Sequence, residues 1–470
     1  MIRKIFSWAG DKFQGNSTLS HQLPEVASIV RPRADARGVS AKDAVIAWTP
    51  VKNVAAYIVE LEQDRLKTDR NFNPTIRPFA LRFYPVRSST RRGRLAMQLH
   101  VGIIGATGFI GTLYRREIRE SGNDANIVAL CARRQDRLQA AGKEDGAQVV
   151  TDDWRKIVDH PDVNFVMVLT PDALHYEAMM ACAEKRKHVF CEKPIGVNAR
   201  EAWQMWNTYQ GTGLAHFVPF WTRYVDSFAR ARQIVSEGTL GTVRAVVYRW
   251  HNPRPAAMPF TWRDDAQLSS AGTIADVGSD AYDTVCWILN DEARRVLAHA
   301  DVITPAKPDL GDIDLNEALQ WGGAHDASES SPTRKGTAFD YGAVAAEFAS
   351  GAVAVFVLSH APVLRKGLAP ELELHGTEAS LAVDRITGAL TLVRPDGQPE
   401  LLETLPHEGF VNRFAKYVFP ALRARIDGAG DEYPGLEQGW RVQLFTDAAA
   451  ASAREGGWVH LAELDEQSRQ

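Results

Sequence analysis

The stretch Val101-Gly-Ile-Ile-Gly105-Ala-Thr-Gly108-Phe-Ile-Gly111 does more than any other to limit what this chain can fold into. A short apolar run, Leu99–Ile104, leads into it, and a segment with charges on one side, Phe109–Glu120, leads out. Glycines between a strand and a helix let the backbone turn sharply and approach a pyrophosphate with no Cβ in the way. The free N–H groups of the helix start then face the anion. The spacing is GxxGxxG, one residue from the usual GxGxxG, and a tight strand–helix turn without a ligand is the alternative reading. If a dinucleotide binds here, Gly105, Thr107, Gly108, Phe109 and Ile110 hold its phosphates.

The surrounding grammar agrees with a parallel sheet covered on both faces. Strand-like runs at Asn126–Cys131, Asn164–Leu169, Lys187–Cys191 and Leu214–Val218 alternate with helical segments at 134–141, 173–184 and 198–209. After residue 219 the pattern shifts. A helix at Ser227–Ser236 precedes a strand at Val243–Trp250 and a helix at Ile274–Leu289. Residues 304–338, rich in Gly, Pro, Asp and Ser, read as a long loop. Strand-like runs follow at Tyr341–Phe348, Ala352–Ser359, Glu371–His375 and Ala389–Val393, and a helix around Gln438–Ala451 ends the fold. The expected class is α/β: a Rossmann domain over 97–218, then an α/β domain over 219–470 whose large, open sheet is mostly antiparallel.

At 470 residues the chain suits two or three domains. Its 45% apolar and 24% charged content excludes a wholly disordered or collagen-like chain. Residues 1–96 carry 17 Lys+Arg against 8 Asp+Glu, the remainder 37 against 50, so the N-terminal part is a different, basic module. Residues 1–30 show no sustained period and are expected to be a disordered leader. Residues 31–96 form a small β-rich extension, with strands at Val45–Trp48, Ala56–Leu61 and Phe79–Val86. The Trp-x-Pro-Val…Tyr-x-Val pattern resembles the early strands of a fibronectin type III sandwich, although about 65 residues is short for one. An untranslated leader before Met97 is the other reading.

The run Arg87-Ser-Ser-Thr-Arg91-Arg92-Gly-Arg94 lacks interleaved aromatics and reads as a solvated linker, so no nucleic-acid partner is expected. No apolar stretch is long enough for a membrane span. Cys131, Cys182, Cys191 and Cys286 form no CxxC pair, which fits buried thiols in a reducing, cytoplasmic setting; no metal site is expected.

An NAD site usually places an acid at the end of the second strand to bind the ribose 2′-hydroxyl. This chain has Ala132-Arg133-Arg134 there. The missing carboxylate removes repulsion toward a 2′-phosphate, and a guanidinium grips that group through two parallel bonds. NADP is therefore expected over NAD, with two arginines that merely open a solvated helix as the alternative.

Further along stand Thr170-Pro171-Asp-Ala-Leu-His175 and Lys187-His-Val-Phe-Cys-Glu192-Lys193-Pro194. With Arg223-Tyr224, Gly238-Thr-Leu-Gly241, Trp262-Arg263, Gly272-Thr-Ile-Ala-Asp276-Val-Gly278 and Glu373-Leu-His-Gly376-Thr-Glu in the same order, the chain resembles the glucose–fructose oxidoreductase/inositol dehydrogenase (Gfo/Idh/MocA) family over about residues 98–465. The resemblance implies two domains and redox exchange between nicotinamide and a secondary alcohol of a sugar, cyclitol or related polyol. It also implies assembly into a homo-oligomer through the open sheet. It carries the catalytic lysine to Lys193, beside nicotinamide and the reacting hydroxyl, with the Lys-Pro bond often cis.

Physical chemistry adds that an ammonium at a strand end stabilises a developing alkoxide. Burial and a cationic neighbour are expected to lower its pKa. Thr170, Pro171, His175 and Glu192 join the expected cofactor set, with His175 near the mouth of the site. Arg263 and Tyr282 are expected to face substrate. The helically spaced Trp203 and Trp206 read as core.

One segment departs from the pattern. The family commonly shows Asp-x-Gly-x-His, whereas this chain reads Asp276-Val-Gly278-Ser279-Asp280. Residues 276, 280 and 283 share a helix face, so one carboxyl pKa is expected to rise, with a facing Lys193 opposing the shift. Either Asp280 replaces the histidine as acid/base, or it holds a substrate hydroxyl while Lys193 carries the proton. The missing histidine also leaves room for a non-catalytic dinucleotide-binding sensor, and a NAD-dependent glycosidase or lyase is a third reading. A short-chain dehydrogenase, which GATGFIG alone suggests, needs Tyr-x-x-x-Lys, and no tyrosine here has a lysine four residues on.

Overall fold

In the basic extension, β1 (Tyr57–Leu61) and β2 (Leu81–Pro85) pair antiparallel, with Val59 opposite Phe83. Two of the three strands read from the sequence of this region are thus in place. The third, Val45–Trp48, lies outside the described residues together with the leader and the Arg87–Arg94 run. The computed structural model describes residues 57–61, 81–85, 98–326, 332–407, 409–428 and 433–470. The chain divides into two units, residues 1–96 and 97–470.

The larger unit opens with β3 (Leu99–Ile104), α1 (Phe109–Arg119), β4 (Ala125–Cys131), α2 (Gln135–Asp145), β5 (Val149–Thr151) and α3 (Trp154–Asp159). It continues with β6 (Phe165–Val168), α4 (His175–Glu184), β7 (His188–Cys191), α5 (Ala199–Tyr209) and β8 (His216–Phe217). The strands form one parallel sheet in the order β5-β4-β3-β6-β7-β8, the doubly wound arrangement. Side-chain alternation builds both faces. Val101, Phe165 and Met167 pack with Tyr114 and Ile118 of α1 and Leu138 of α2. Val166 and Val168 point the other way, into a core shared with Ile157, Met179 and Met205 of α3, α4 and α5.

Then come α6 (Asp226–Ser236), β9 (Val243–His251), α7 (Thr273–Leu289), β10 (Ala293–Asp301), β11 (Lys307–Pro308), α8 (Leu315–Ala324) and β12 (Thr333–Arg334). They are followed by β13 (Tyr341–Phe348), β14 (Val353–Ser359), β15 (Leu372–Gly376), β16 (Ser380–Val383), β17 (Ala389–Val393) and β18 (Glu400–Thr404). The chain finishes with α9 (Phe419–Ile426), α10 (Leu436–Glu455), β19 (Val459–His460) and α11 (Leu461–Ser468). Nine strands make a second sheet, β18-β17-β16-β15-β9-β14-β13-β10-β19, in which only β9 and β14 run parallel. α9 returns to the first sheet, where Leu422 is buried with Phe414 and Phe165.

Three readings need correction. Residues 304–338 are not one loop: β11 and β12 pair, and α8 lies between them, started by a capping box of Asp314 and Glu317. β10 escaped notice because Arg294, Leu297, His299 and Asp301 are exposed, which leaves alanines and one valine to carry its inner face. The fold also runs past residue 451, since α10 extends to Glu455 and α11 packs beyond it. Trp203 and Trp206 are half-buried and pack against the core, Trp203 lying on Trp440 of α10 with ring centroids 5.0 Å apart.

Candidate active site

Strand order reverses between β3 and β6, and an open α/β sheet binds its ligand beyond the strand ends at such a point. The glycine turn leaves the end of β3 here. Gly105 sits at φ +91°, and a Cβ on it would lie 2.6 Å from the Leu169 carbonyl oxygen, so only glycine lets the β3 and β6 ends come this close. A Cβ on Gly111 would come 2.2 Å from the Gly105 oxygen, so this glycine lets α1 start hard against the turn. Gly108 stands at the N-cap of α1 and supplies no side chain to its first N–H groups.

A cleft of about 560 Å³ opens over this turn. Gly105, Thr107, Gly108, Phe109 and Ile110 line its floor, Arg133 and Arg134 one end, and Thr170, Pro171, Glu192 and Lys193 the other strand ends. Trp262, Arg263 and Asp276 face them from the second half of the chain. Among the described residues, buried Thr170 Oγ1 and Glu192 Oε1 have no hydrogen-bond partner. An uncapped helix start, a turn with glycine at both ends and unpartnered polar atoms along one cleft suit a dinucleotide. Bound here, its phosphates would meet the α1 N–H groups.

Lys193 follows β7, and its bond to Pro194 is cis. Its Nζ donates to the Asp276 carbonyl oxygen (2.5 Å) and to Asp276 Oδ1 (3.3 Å), and lies 3.0 Å from Asp280 Oδ2. Burial alone would push the ammonium pKa down, but Asp280, Asp276 and Glu192 outweigh it and hold it above its ordinary value. The expected lowering is therefore corrected: anions, not cations, surround this lysine.

The two aspartates diverge. Burial raises the Asp280 carboxyl against the pull of Lys193, whereas Asp276, half-buried in the cleft wall, is driven well below the ordinary range by Lys193, His360 and Arg263. Asp276 Oδ2 collects His360 Nε2 at 3.2 Å, Arg254 Nη2 at 3.4 Å and Arg263 Nε at 3.6 Å. Asp283 does not join them, because Arg223 takes both its oxygens at 2.6 and 2.7 Å. Burial also lifts Glu192 to about 7.

Two residues lie elsewhere than expected. His175 is buried beneath the cleft wall, its ring nitrogens 2.8 Å from the Thr170 carbonyl and 3.1 Å from that of Pro194. It ties the TP and EKP turns together. Tyr282 is in the core, stacked on Phe445 at 4.0 Å, and its hydroxyl accepts the Ala293 N–H. Sequence reading missed Arg254 and His360, which come from a Pro-rich loop and the end of β14; neither belongs to a recognisable local motif.

A larger cavity, about 940 Å³, lies around Arg223, Trp287 and Arg441, away from the glycine turn. Arg223 is already bonded to Asp283, and Arg441 to Glu292 and Glu437. Among the described residues no group of His, Cys, Asp and Glu is placed to hold a metal ion, and no helix is long and apolar enough to cross a membrane.

The chain is similar to levoglucosan dehydrogenase of Pseudarthrobacter phenanthrenivorans, 26% identical over 356 residues, which cover 69% of this chain and 86% of the relative. It is 27% identical over 185 residues to scyllo-inositol 2-dehydrogenase (NADP(+)) of Bacillus subtilis, covering 39% of this chain and 50% of that one. Its fold matches a structure of levoglucosan dehydrogenase in complex with NADH and L-sorbose, with a TM-score of 0.65 at 22% identity over 78% of this chain and 100% of the other. A profile described as an oxidoreductase family with an NAD-binding Rossmann fold matches residues 99–220, and the GFO/IDH/MocA C-terminal domain matches residues 228–382. With more than half of its length matched in that order, the chain belongs to the Gfo/Idh/MocA oxidoreductase family.

Proposed function

We propose that the protein oxidises a secondary alcohol of a sugar, cyclitol or related polyol, or reduces the corresponding carbonyl, with residues 97–218 holding the dinucleotide and 219–470 the substrate. The observation that carries this reading is Lys193 Nζ, held between Asp276 and Asp280 at the end of β7 in the cleft that contains the glycine turn. The dinucleotide, when bound, supplies the two-electron acceptor or donor. Lys193 donates to the reacting oxygen and stabilises the negative charge that develops there. As the hydroxyl proton moves to Nζ, a proton leaves Nζ for Asp280 Oδ2, whose raised pKa suits it to accept. Asp276 and Arg263 line the substrate side, and Arg254 and His360 fix the Asp276 carboxylate.

Arg133 and Arg134, with no acid at the end of β4, favour NADP(H) as the cofactor, with NAD(H) as the alternative. The scyllo-inositol and levoglucosan relatives point to cyclitols and anhydrosugars as the first substrates to try. The test is tryptophan-fluorescence titration with each dinucleotide, followed by a polyol panel read at the nicotinamide absorbance. Binding of neither dinucleotide, or no absorbance change with any polyol, overturns the reading.

The outer face of the second sheet supports a homo-oligomer. Val355 lies beside Ala345 and Val247, and Ala345 beside Leu297. Val353, Val355 and Leu297 are more than a third exposed, an apolar patch suited to a second copy. Val355→Arg is expected to give a monomer in sedimentation, and an unchanged oligomer mass would remove this face as the interface.

A further inference from the structure

The acidic stretch 312–317 crosses from the second half of the chain to the arginines at the end of β4. Arg133 Nη2 donates to Asp312 (3.0 Å), and Arg134 Nη1 and Nη2 donate to Glu317 at 2.7 and 3.2 Å. Arg137, in the first turn of α2, bonds to both Asp314 and Glu317. Asp312 and Asp314 also line the cleft, alongside Arg133 and Arg134. Glu317 thus occupies the edge of the Arg134 guanidinium that a ribose 2′-phosphate would need, and Asp312 takes one Arg133 donor at the cleft rim.

The strap is firmly held at its far side. Lys307 in β11 makes a buried bond to Asp264 at 2.6 Å. Arg334 in β12 bonds to Asp265 at 2.8 Å and lies 4.0 Å over the Phe260 ring. A Cβ on Gly322 would come 2.7 Å from Met258 Cα, so α8 rests directly on the 255–258 loop. The capping box sets the near end: Asp314 accepts the Glu317 N–H at 3.0 Å, and Glu317 accepts the Asp314 N–H at 2.9 Å. Glu317 is therefore aimed at Arg134 by backbone geometry and by its own helix start. The adjacent arginine drives its carboxyl down to about 2, so it is charged throughout the neutral range.

Resting on the dinucleotide reading above, we propose that Glu317 and Asp312 are specificity-determining residues that compete with a 2′-phosphate for Arg134 and Arg133. NADP(H) must break these bonds and bring its own charge beside the displaced carboxylates. NAD(H), with a neutral 2′-hydroxyl, leaves the strap latched. The arginines favour the phosphorylated dinucleotide, and the strap opposes it, so the preference belongs to the pair of segments and not to the β4 end alone.

The test is direct binding of NAD+ and NADP+ to the full chain, followed by quenching of tryptophan fluorescence, since Trp154 and Trp262 line the cleft. Glu317→Gln keeps a side chain that can complete the capping box, and Asp312→Asn changes an exposed loop residue. The double variant is expected to bind NADP+ about tenfold or more tightly than wild type, with NAD+ affinity little changed. Adding Arg134→Met should remove that gain. An unchanged ratio of the two affinities, with both dinucleotides bound, overturns the competition and leaves the cofactor reading intact. Quenching by neither dinucleotide in either protein overturns both. A melting temperature equal to wild type shows that the variants fold.

Discussion

Lys193→Met is expected to lower kcat by about 10³-fold or more while leaving dinucleotide binding largely intact, as stopped-flow turnover and fluorescence titration would read separately. Loss of one positioned donor to a developing oxyanion typically costs 10²–10³-fold, and loss of a proton-transfer group contributes on the order of 10²–10⁴-fold. Lys193 fills both roles here, and at about 1.36 kcal/mol per tenfold a 10³-fold loss is roughly 4 kcal/mol of transition-state stabilisation. The variant also leaves Asp280 buried without its cation, which pushes its carboxyl pKa further up than in wild type. Lys193→Arg restores the charge, but its planar fork does not fit a point bounded by the Asp276 carbonyl and two carboxylates, and little activity should return. Unchanged turnover in Lys193→Met would take Lys193 out of the chemistry, whereas a wild type that binds dinucleotide but turns over no polyol would favour a sensor over an enzyme.

Which parts of this site the sequence reveals follows from how each is built. The glycine turn, the EKP turn and the start of α7 are local: backbone approach and strand-end position are encoded within a few residues, and all three converge on one cleft. Helical spacing placed Asp276, Asp280 and Asp283 on one face, but it could not show that Arg223, sixty residues upstream, would take Asp283 out of the group. His175 has the residue type of a catalytic group, and only its two backbone partners, Thr170 and Pro194, reveal it as a clamp beneath the wall.

Arg254 and His360 had no local signal, because each matters only through Asp276. The same holds at the β4 end. Arg133 and Arg134 were legible as anion-binding residues, but their partners sit in a stretch whose Gly, Pro, Asp and Ser content masked a capped helix. Composition describes solvent exposure well and says little about which distant charge a segment will meet.

Asp276→Ala is expected to damage folding as well as chemistry. The side chain is the common anion for Lys193, Arg254 and Arg263, with His360 against the same oxygen as Arg254 and Arg263. Removing one partner from a fully buried ionic group typically costs about 3–5 kcal/mol. The Asp276 side chain is 24% exposed to the cleft, so its loss should lie at the low end, about 3 kcal/mol. At roughly 2 °C per kcal/mol for a large domain, the melting temperature should fall by about 6 °C. Asp276→Asn keeps the shape and a hydrogen-bond acceptor, so its loss should be smaller.

The pH dependence has a fixed sign. The folded-state pKa of Asp276 lies well below its ordinary value, so the unfolded chain binds this proton first as pH falls. The stability it contributes is fully present above about pH 4 and is lost only as pH drops through the folded-state value. Wild type should therefore exceed Asp276→Asn by a constant margin from pH 5 to 8, with the curves converging only in stronger acid. A margin that closed near neutrality would mean that the cations around this carboxylate do not hold it ionised, and the charge network behind Lys193 would have to be redrawn.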